Sequence, residues 1–392
     1  MSDYQLVNFT NPDDFVEATK KYDDCWMNFA FGALMDSLDA SQAEGQRRWG
    51  PQERTLVAVY KGDSLLVTLT KIAKDFSWVL SHPRDAIISE DEFPSIAQLL
   101  ATSLPSILSP TTPPSSSDLL KLDKVIGPES LVDTFLNTWV SHLPSLNPPI
   151  HLQLIDPPYF QSRFSYATIE TVPPPSPAFS SEKYDIALAS TEEDALELAS
   201  FYVEFKARGP LPATHEEGLA IMKDAIKGKR LWCCRLKDSL EPSAIFPEHK
   251  DAGITRITAS ANSSAIAGYV MVGRETPRTI AVRNVYVSPT FRRKGVAEAL
   301  VRAVTRYYLD AQPLGFNIRG IQGHTKDDAE EGKLVEGVIR KQEVCLNVVD
   351  EGAKRLYIRC GFLLDDNARD PKSGRSGYFP SIWRGVKPIR EN

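Results

Sequence analysis

The sequence predicts an α/β (α+β) protein of two domains, and three observations lead there. Short runs of β-forming residues alternate with stretches whose apolar residues recur every third or fourth position, the pattern of strands interleaved with amphipathic helices. A Pro/Ser-rich segment at 171–183, TVPPPSPAFSSEK, divides the chain and reads as an extended spacer. The order of strands and helix over residues 120–170, before that spacer, repeats in outline the order around a basic loop at 292–297 after it. A length of 392 residues with 42% hydrophobic content is ample to core both halves.

Bulk properties exclude several classes of function. The net charge of −6 argues against a general nucleic-acid binder, which would be basic. Five cysteines (Cys25, Cys233, Cys234, Cys345 and Cys360) form no CxxC pair, so reduced, buried thiols in a reducing compartment are expected. Six histidines show no metal-ligand spacing, and no metal is expected. The first residues lack a basic-then-apolar signal and no apolar run approaches membrane-spanning length. The expectation is a soluble cytoplasmic protein, with the nucleus left open, that engages neither membrane nor nucleic acid.

Residues 1–170 predict the first domain. Tyr4–Phe9 reads as a strand and Asn11-Pro12-Asp13-Asp14 as a helix start. The helix carries Phe15, Ala18, Tyr22, Trp26 and Phe29 at helical spacing, as far as Leu38, and this aromatic stripe reads as core. Strands are expected at Leu56–Tyr60, Leu65–Lys71 and Phe76–Leu80, the first two joined as a hairpin through Lys61-Gly62-Asp63-Ser64. A helix over Phe93–Leu108 precedes a Pro/Ser surface loop. A strand at Leu120–Ile126 then leads through Gly127-Pro128 into a helix with Leu131, Phe135, Trp139 and Leu143 on one side. Strands at Ile150–Ile155 and Phe164–Glu170 close the domain.

Residues 184–392 predict the second domain. It opens with a strand at Tyr184–Ala189 and a capping box at Ser190-Thr191-Glu192-Glu193. That box starts a helix to about Lys206, and Thr214-His215-Glu216-Glu217 starts another that ends near Gly228. Strands follow at Arg230–Leu236, Ile254–Ser260 and Ile266–Arg274, with a long polar loop at 237–252. The run Thr279–Val287 is a further strand, turning at Ser288-Pro289 into the basic loop Arg292-Arg293-Lys294-Gly295-Val296-Ala297. A helix follows, with Val296, Leu300, Val304 and Tyr308 along one face. Residues 311–343 read as an insertion: a surface excursion, a lid over the site or a partner contact. A strand at Val344–Val348 and a helix ending at Gly361 come next, the glycine supplying a left-handed stop. Strands at Phe362–Leu364 and across Tyr378–Arg384 are expected as a terminal hairpin.

Strand, basic loop and helix in that order aim several backbone N–H groups at one point, where the helix dipole and Arg292, Arg293 and Lys294 add positive potential. Gly295 and Ala297 keep side chains out of the way, so a pyrophosphate can touch the backbone. The loop lacks the Gly-Lys-Ser/Thr ending of a P-loop and the three glycines of a dinucleotide fold.

The pattern Val285, Val287, Pro289, Arg292, Gly295, Ala297 resembles the acyl-CoA-binding segment of the GNAT superfamily of N-acyltransferases. A second stretch, VCLNVVDEGAKRLYIRCGF at 344–362, is similar to that family's Asn-x-x-Ala-x-x-Leu-Tyr-x-x-x-Gly-Phe motif, with Ala353, Leu356, Tyr357, Gly361 and Phe362 in register. Asp350 stands where the family usually has Asn; it can still cap the helix, although a carboxylate is a less comfortable neighbour for a cofactor. The resemblance implies two GNAT-like units, each a mixed, mostly antiparallel twisted sheet flanked by helices, with 184–392 catalytic and 1–170 degenerate. In the degenerate half the turn before the helix carries Glu129 and no cation, so that half is expected to bind no CoA.

The resemblance also implies a reaction: direct transfer of an acyl group, acetyl by default, from acetyl-CoA to an amine, expected to be a small molecule, through a tetrahedral intermediate. The strand at Val285, Tyr286 and Val287 would pair its backbone with the pantetheine arm. Amides of Arg293, Lys294, Gly295, Val296, Ala297 and Glu298, with the charge of Arg292, would hold the pyrophosphate, and Asp350 and Ala353 would border the cofactor. A backbone N–H near Val285 would stabilise the oxyanion. Tyr357 would protonate the departing thiolate, a phenol near pKa ~10 suiting a thiol of comparable basicity. The general base stays open among Glu204, His324, a water relay and an amine that enters already deprotonated from solvent. Two rivals remain: a CoA-binding regulator or pseudoenzyme without turnover, and an interaction scaffold worked by the N-terminal half.

Overall fold

The structure, a computed structural model, describes residues 4–43, 54–73, 76–86, 88–111, 113–176, 183–207, 209, 212–237, 265–315 and 340–389. In chain order its elements begin with β1 (Tyr4–Phe9), α1 (Pro12–Thr19), α2 (Asn28–Ala43), β2 (Thr55–Lys61), β3 (Ser64–Lys71) and β4 (Trp78–Ser81). Then come α3 (Phe93–Leu108), the short α4 (Ser116–Leu119), β5 (Lys124–Pro128), α5 (Glu129–His142), β6 (Leu152–Leu154) and β7 (Phe160–Ala167). The later part holds β8 (Tyr184–Leu188), α6 (Glu192–Lys206), α7 (His215–Lys227), β9 (Leu231–Leu236), β10 (Ile266–Gly273) and β11 (Thr279–Val287). It ends with α8 (Val296–Leu309), β12 (Glu343–Val348), α9 (Glu351–Arg359) and β13 (Tyr378–Pro388). The class is mixed α/β, with a mostly antiparallel sheet flanked by helices.

Two compact units form, one from Met1–Thr171, Gly273–Val282 and Ile339–Asn392, the other from Val172–Val272 and Arg283–Val338. They do not follow the two sequence halves, and strand pairing inside the first unit says why. There β5 pairs with β13 (Gly127 opposite Ile382), β13 pairs with β7 (Tyr378 opposite Ser165), and β7 pairs with β12 (Phe164 opposite Asn347). The last strand of each sequence half therefore lies among strands of the other. The expected terminal hairpin does not form: Phe362–Leu364 is no strand, and Leu363 N–H donates to the Tyr166 carbonyl at 3.1 Å.

Local signals explain most of the first unit. The Asn11 side chain accepts from Asp13 N–H at 3.1 Å and caps α1. The single helix expected from Pro12 to Leu38 is broken at 20–27, because the Asp24 carboxylate takes the N–H groups of Trp26 and Met27 and starts a new helix at Asn28. Gly62, at φ +56°, turns the β2–β3 hairpin as expected. Ile96, Leu100 and Leu104 of α3 pack with Leu131, Phe135 and Trp139 of α5 in one buried core, where each filled apolar side chain contributes about 1.5–3 kcal/mol.

Parallel pairing corrects one correspondence between the halves. A parallel pair needs a crossover helix: α3 joins β4 to β5 (Trp78 opposite Val125), and α8 joins β11 to β12 (Thr279 opposite Glu343). The counterpart of the basic loop is thus the segment before α3, not the turn at Glu129. It carries Glu90, Asp91 and Glu92 behind a Ser89 capping box, so the local charge is still acidic, on different residues. Strands β4 and β5 also approach so closely that a Cβ at Gly127 would strike the Leu80 carbonyl oxygen. Gly127→Ala is expected to cost about 1–3 kcal/mol, as overpacking against backbone does; a urea unfolding midpoint equal to wild type would disprove this contact.

A polar cluster lies in the first unit's interior. Arg84 pairs with Glu343 at 2.6 Å, Glu343 also accepts the Cys25 N–H at 2.7 Å, and the Arg84 N–H donates to Asp24 at 2.9 Å. Burial, then the charge of Glu343, pushes the Asp24 carboxyl up to about 7.

In the second unit, β10 lies beside β9, β8 pairs with β9, and Ser288 N–H donates to the Ala267 carbonyl at the end of β11. Leu231 and Cys233 point to the α6/α7 side with Tyr269, Met271 and Tyr286, while Trp232 meets Tyr307 of α8 at 4.8 Å between ring centroids. Neighbouring residues of a strand face opposite ways, so α8 lies on the other face. The box at Thr214 and Glu217 forms as expected, but the box on α6 is Thr191 with Asp194, one residue later than the sequence suggested. The start of the expected spacer is tied down within this unit: Arg306 and Arg302 donate to the carbonyls of Pro173 and Pro174. The strand expected at 254–260 and most of the 311–343 insertion, including His324, lie outside the described residues.

Candidate functional site: a cationic turn at the end of β11

β11 forms where expected, from a nine-residue run rich in Val, Ile and Thr. Pro289 then opens a single 3-10 turn, Pro289–Phe291, which leaves Arg292 extended. The Arg292 side chain folds back, Nε donating to the Val287 carbonyl at 3.1 Å, with its guanidinium 5.7 Å from the Tyr286 ring centre. Arg293 (φ +60°) and Gly295 (φ +80°) both take the left-handed conformation. Alternating backbone handedness of this kind turns successive N–H groups inward into an anion-binding concavity. Gly295 is also the residue from which α8 departs, its carbonyl accepting from Ala299 N–H at 2.9 Å.

No hydrogen bond among the described residues uses the amides of Arg293, Lys294, Gly295, Val296 or Ala297. A helix start without a side-chain cap leaves such donors for solvent or ligand. The side chains of Arg292, Arg293 and Lys294 are exposed, and no described carboxylate forms an ion pair with them. Glu298, the nearest acid on α8, is paired with Arg302 at 2.7 Å, one turn along. Amides and cations that meet no partner among the described residues, gathered at a helix N-terminus, fit a diphosphate. The site residues Val285, Tyr286, Val287 and Arg292–Glu298 are thus one continuous structure in the second unit.

The structure shows what Tyr286 does beyond lending its backbone. Its ring is almost fully buried between Phe201 (5.4 Å) and Tyr269 (6.3 Å), and its hydroxyl donates to the exposed carboxylate of Glu204 on α6. Strand alternation was the available signal, since Tyr286 must face away from Val285 and Val287.

Asp350, Ala353 and Tyr357 belong to the first unit. Asp350 caps α9, its Oδ1 accepting from Ala353 N–H at 2.8 Å, which is the work its usual Asn counterpart would do. Gly361, at φ +94°, stops the helix as expected. The Tyr357 ring meets Phe362 edge-on at 5.9 Å. Burial, then Cys360 and Asp350, pushes the Tyr357 hydroxyl well above the ordinary tyrosine range. The shift favours the protonated, hydrogen-bond-donating form of the phenol.

Within the same unit, β11 and β12 run parallel from Thr279–Glu343 to Val282–Leu346, and the register ends there. Among the described residues, no three His, Cys, Asp or Glu side chains gather to hold a metal ion, and no helix is long and apolar enough to cross a membrane.

Comparison with known proteins bears on this geometry. Residues 255–363 match a family model described as an acetyltransferase (GNAT) domain. Among solved structures, the chain is similar to a GCN5-related N-acetyltransferase from Sphaerobacter thermophilus, at 17% identity and TM-score 0.45, over 100% of this chain and 98% of that one. A tandem GNAT protein from the clavulanic acid biosynthesis pathway aligns at 10% identity and TM-score 0.38, over 99% of each chain. A GNAT-family acetyltransferase from Colwellia psychrerythraea aligns at 10% identity and TM-score 0.40, over 97% of this chain and 99% of that one. No curated protein matches the chain. The family match runs from before β10 to just past Gly361, so it takes in the cationic turn, α8, β12 and the helix of Tyr357. At residues 255–363 the chain carries a domain of the GNAT acetyltransferase family.

Proposed function

We propose that the protein is an acetyl-CoA-dependent N-acyltransferase whose acceptor is a small amine. The observation that carries this reading is the set of five consecutive amides, Arg293 to Ala297, with no hydrogen-bond acceptor among the described residues, beside three cations with no carboxylate partner among them. Such a seat suits the diphosphate of coenzyme A, and charge-assisted bonds of this type contribute about 1.5–3 kcal/mol each. The cofactor supplies the acetyl group as a thioester. In the second unit the backbone of Val285–Val287 lies along the pantetheine and Glu204 takes a proton from the acceptor's ammonium; the family resemblance gives Tyr357, of the first unit, the task of donating to the leaving sulfur. The acceptor nitrogen bonds to the carbonyl carbon as the C–S bond breaks, and the second proton lost from nitrogen returns to solvent, from which the phenol is restored. A phenol that stays protonated remains a hydrogen-bond donor to the thiolate until transfer.

The substitution of Asp for Asn at 350 does not favour a regulator without turnover, because Asp350 performs the cap. Two measurements test the proposal. Titration calorimetry with coenzyme A should show one site, weakened by salt, as phosphate contacts are. Incubation of acetyl-CoA with a panel of amines should release free thiol only when a productive amine is present. Binding with no thiol release from any amine would leave a regulator; absence of binding would remove the cofactor reading altogether.

A further inference from the structure

The hydroxyl of Tyr286 sits at the meeting point of the cationic turn and α6, and a positioning role follows from three features of that place. The ring cannot swing, because Phe201 and Tyr269 hold its two sides and its exposure is 5%. The hydroxyl donates to Glu204, whose carboxylate is otherwise exposed at the end of α6. A glutamate at a helix surface samples several rotamers, and ordering such a side chain costs about 1.5–2 kcal/mol of conformational entropy. A fixed donor settles much of that ordering before any substrate arrives.

The guanidinium of Arg292, 5.7 Å from the ring centre, touches the same phenol from the phosphate side. Tyr286 thus stands between Arg292 and Glu204, with Val285 and Val287 on either side along the strand.

We propose that Tyr286 is a positioning residue for acyl transfer: its hydroxyl aims the Glu204 carboxylate at the acceptor's ammonium. This rests on the transfer reading given above. It also narrows the acceptor's chemistry to an amine that arrives protonated, since a cation gains from an oriented carboxylate. Glu204 removes one proton and frees the nitrogen lone pair; Tyr286 exchanges no proton with the substrate and acts through Glu204 alone.

The test uses the full chain with the amine found productive in the panel. Tyr286→Phe keeps the packed ring and removes only the donor. It should lower kcat about 10- to 100-fold while leaving the KM for acetyl-CoA and the calorimetric affinity for coenzyme A within about twofold, the range an oriented acid–base group contributes. Glu204→Gln should lose at least as much, and the double variant should lose no more than Glu204→Gln, because the proposed role of the phenol runs through that carboxylate. Equal melting temperatures for Tyr286→Phe and wild type would exclude a folding defect, and Tyr286→Leu should lose stability as well as kcat. A full kcat in Tyr286→Phe, or multiplied losses in the double variant, would overturn the assignment while leaving acyl transfer standing. A wild-type chain that binds coenzyme A yet acetylates no amine would overturn both.

Discussion

Gly295→Val is expected to weaken coenzyme A binding by about a hundredfold or more while the chain remains folded. Gly295 holds φ +80°, a conformation that a β-branched residue adopts only with strain of about 1–3 kcal/mol. Relaxing that strain would rotate the amides of Lys294 to Val296 away from their common focus. Losing one charge-assisted bond removes about 1.5–3 kcal/mol, and each 1.4 kcal/mol is a factor of ten in affinity. The new side chain would in addition stand where the backbone must touch phosphate. Arg292→Ala should do less, because its side chain is exposed and solvent screens it. Calorimetry with coenzyme A, with a thermal melt as the control for folding, checks both. Wild-type affinity in Gly295→Val would show that the amides at 293–297 do not hold the diphosphate.

The second large effect concerns stability. Glu343→Ala strips Arg84 of its close partner and Cys25 of the acceptor for its N–H, with the Arg84 and Glu343 side chains only 11% and 8% exposed. Removing one partner of a buried pair costs about 3–5 kcal/mol, because a charge is left behind without water. Chemical unfolding followed by circular dichroism should register it as a lower midpoint. The same cluster predicts a pH response. Asp24 is held near 7 in the folded state against about 3.9 unfolded, so the folded state binds the extra proton. That contribution is complete below about pH 4 and is lost as pH rises through about 7. Glu343→Gln removes the second cause of the shift and leaves burial, so its stability should fall less steeply between pH 5 and 7. A loss under 1 kcal/mol in Glu343→Ala, or identical slopes in wild type and Glu343→Gln, would contradict this account.

The parts of the fold that were legible are those set by neighbours in sequence. Helix α3 runs over Phe93–Leu108 and strand β11 over Thr279–Val287, as the periodicity and the β-formers indicate, and the Thr214 box starts α7. The cationic turn was legible for the same reason: Pro289, Arg292 and Gly295 act within a few bonds of one another. What escaped depends on partners far along the chain. Asp24 ends one helix and begins another, but its carboxylate is committed by burial beside Arg84 and Glu343. The expected strand at Phe362–Leu364 has the right residues, yet β7 takes the place beside β13. The bond from Tyr286 to Glu204 joins positions 82 residues apart, and no local pattern announces it. The counterpart of the basic loop could be found only from which strands run parallel.

The pairing of β5 with β13 sets a timetable for synthesis. Gly127 emerges from the ribosome about 250 residues before its neighbour Ile382, which at ~5–20 residues per second is a wait of roughly 12–50 s. Throughout that interval the open edge of β5 can be taken by any extended segment, including one from another nascent chain. Cutting the gene at the proline-rich segment would make the delay permanent for each fragment, so the two pieces should be recovered as soluble protein only when made together.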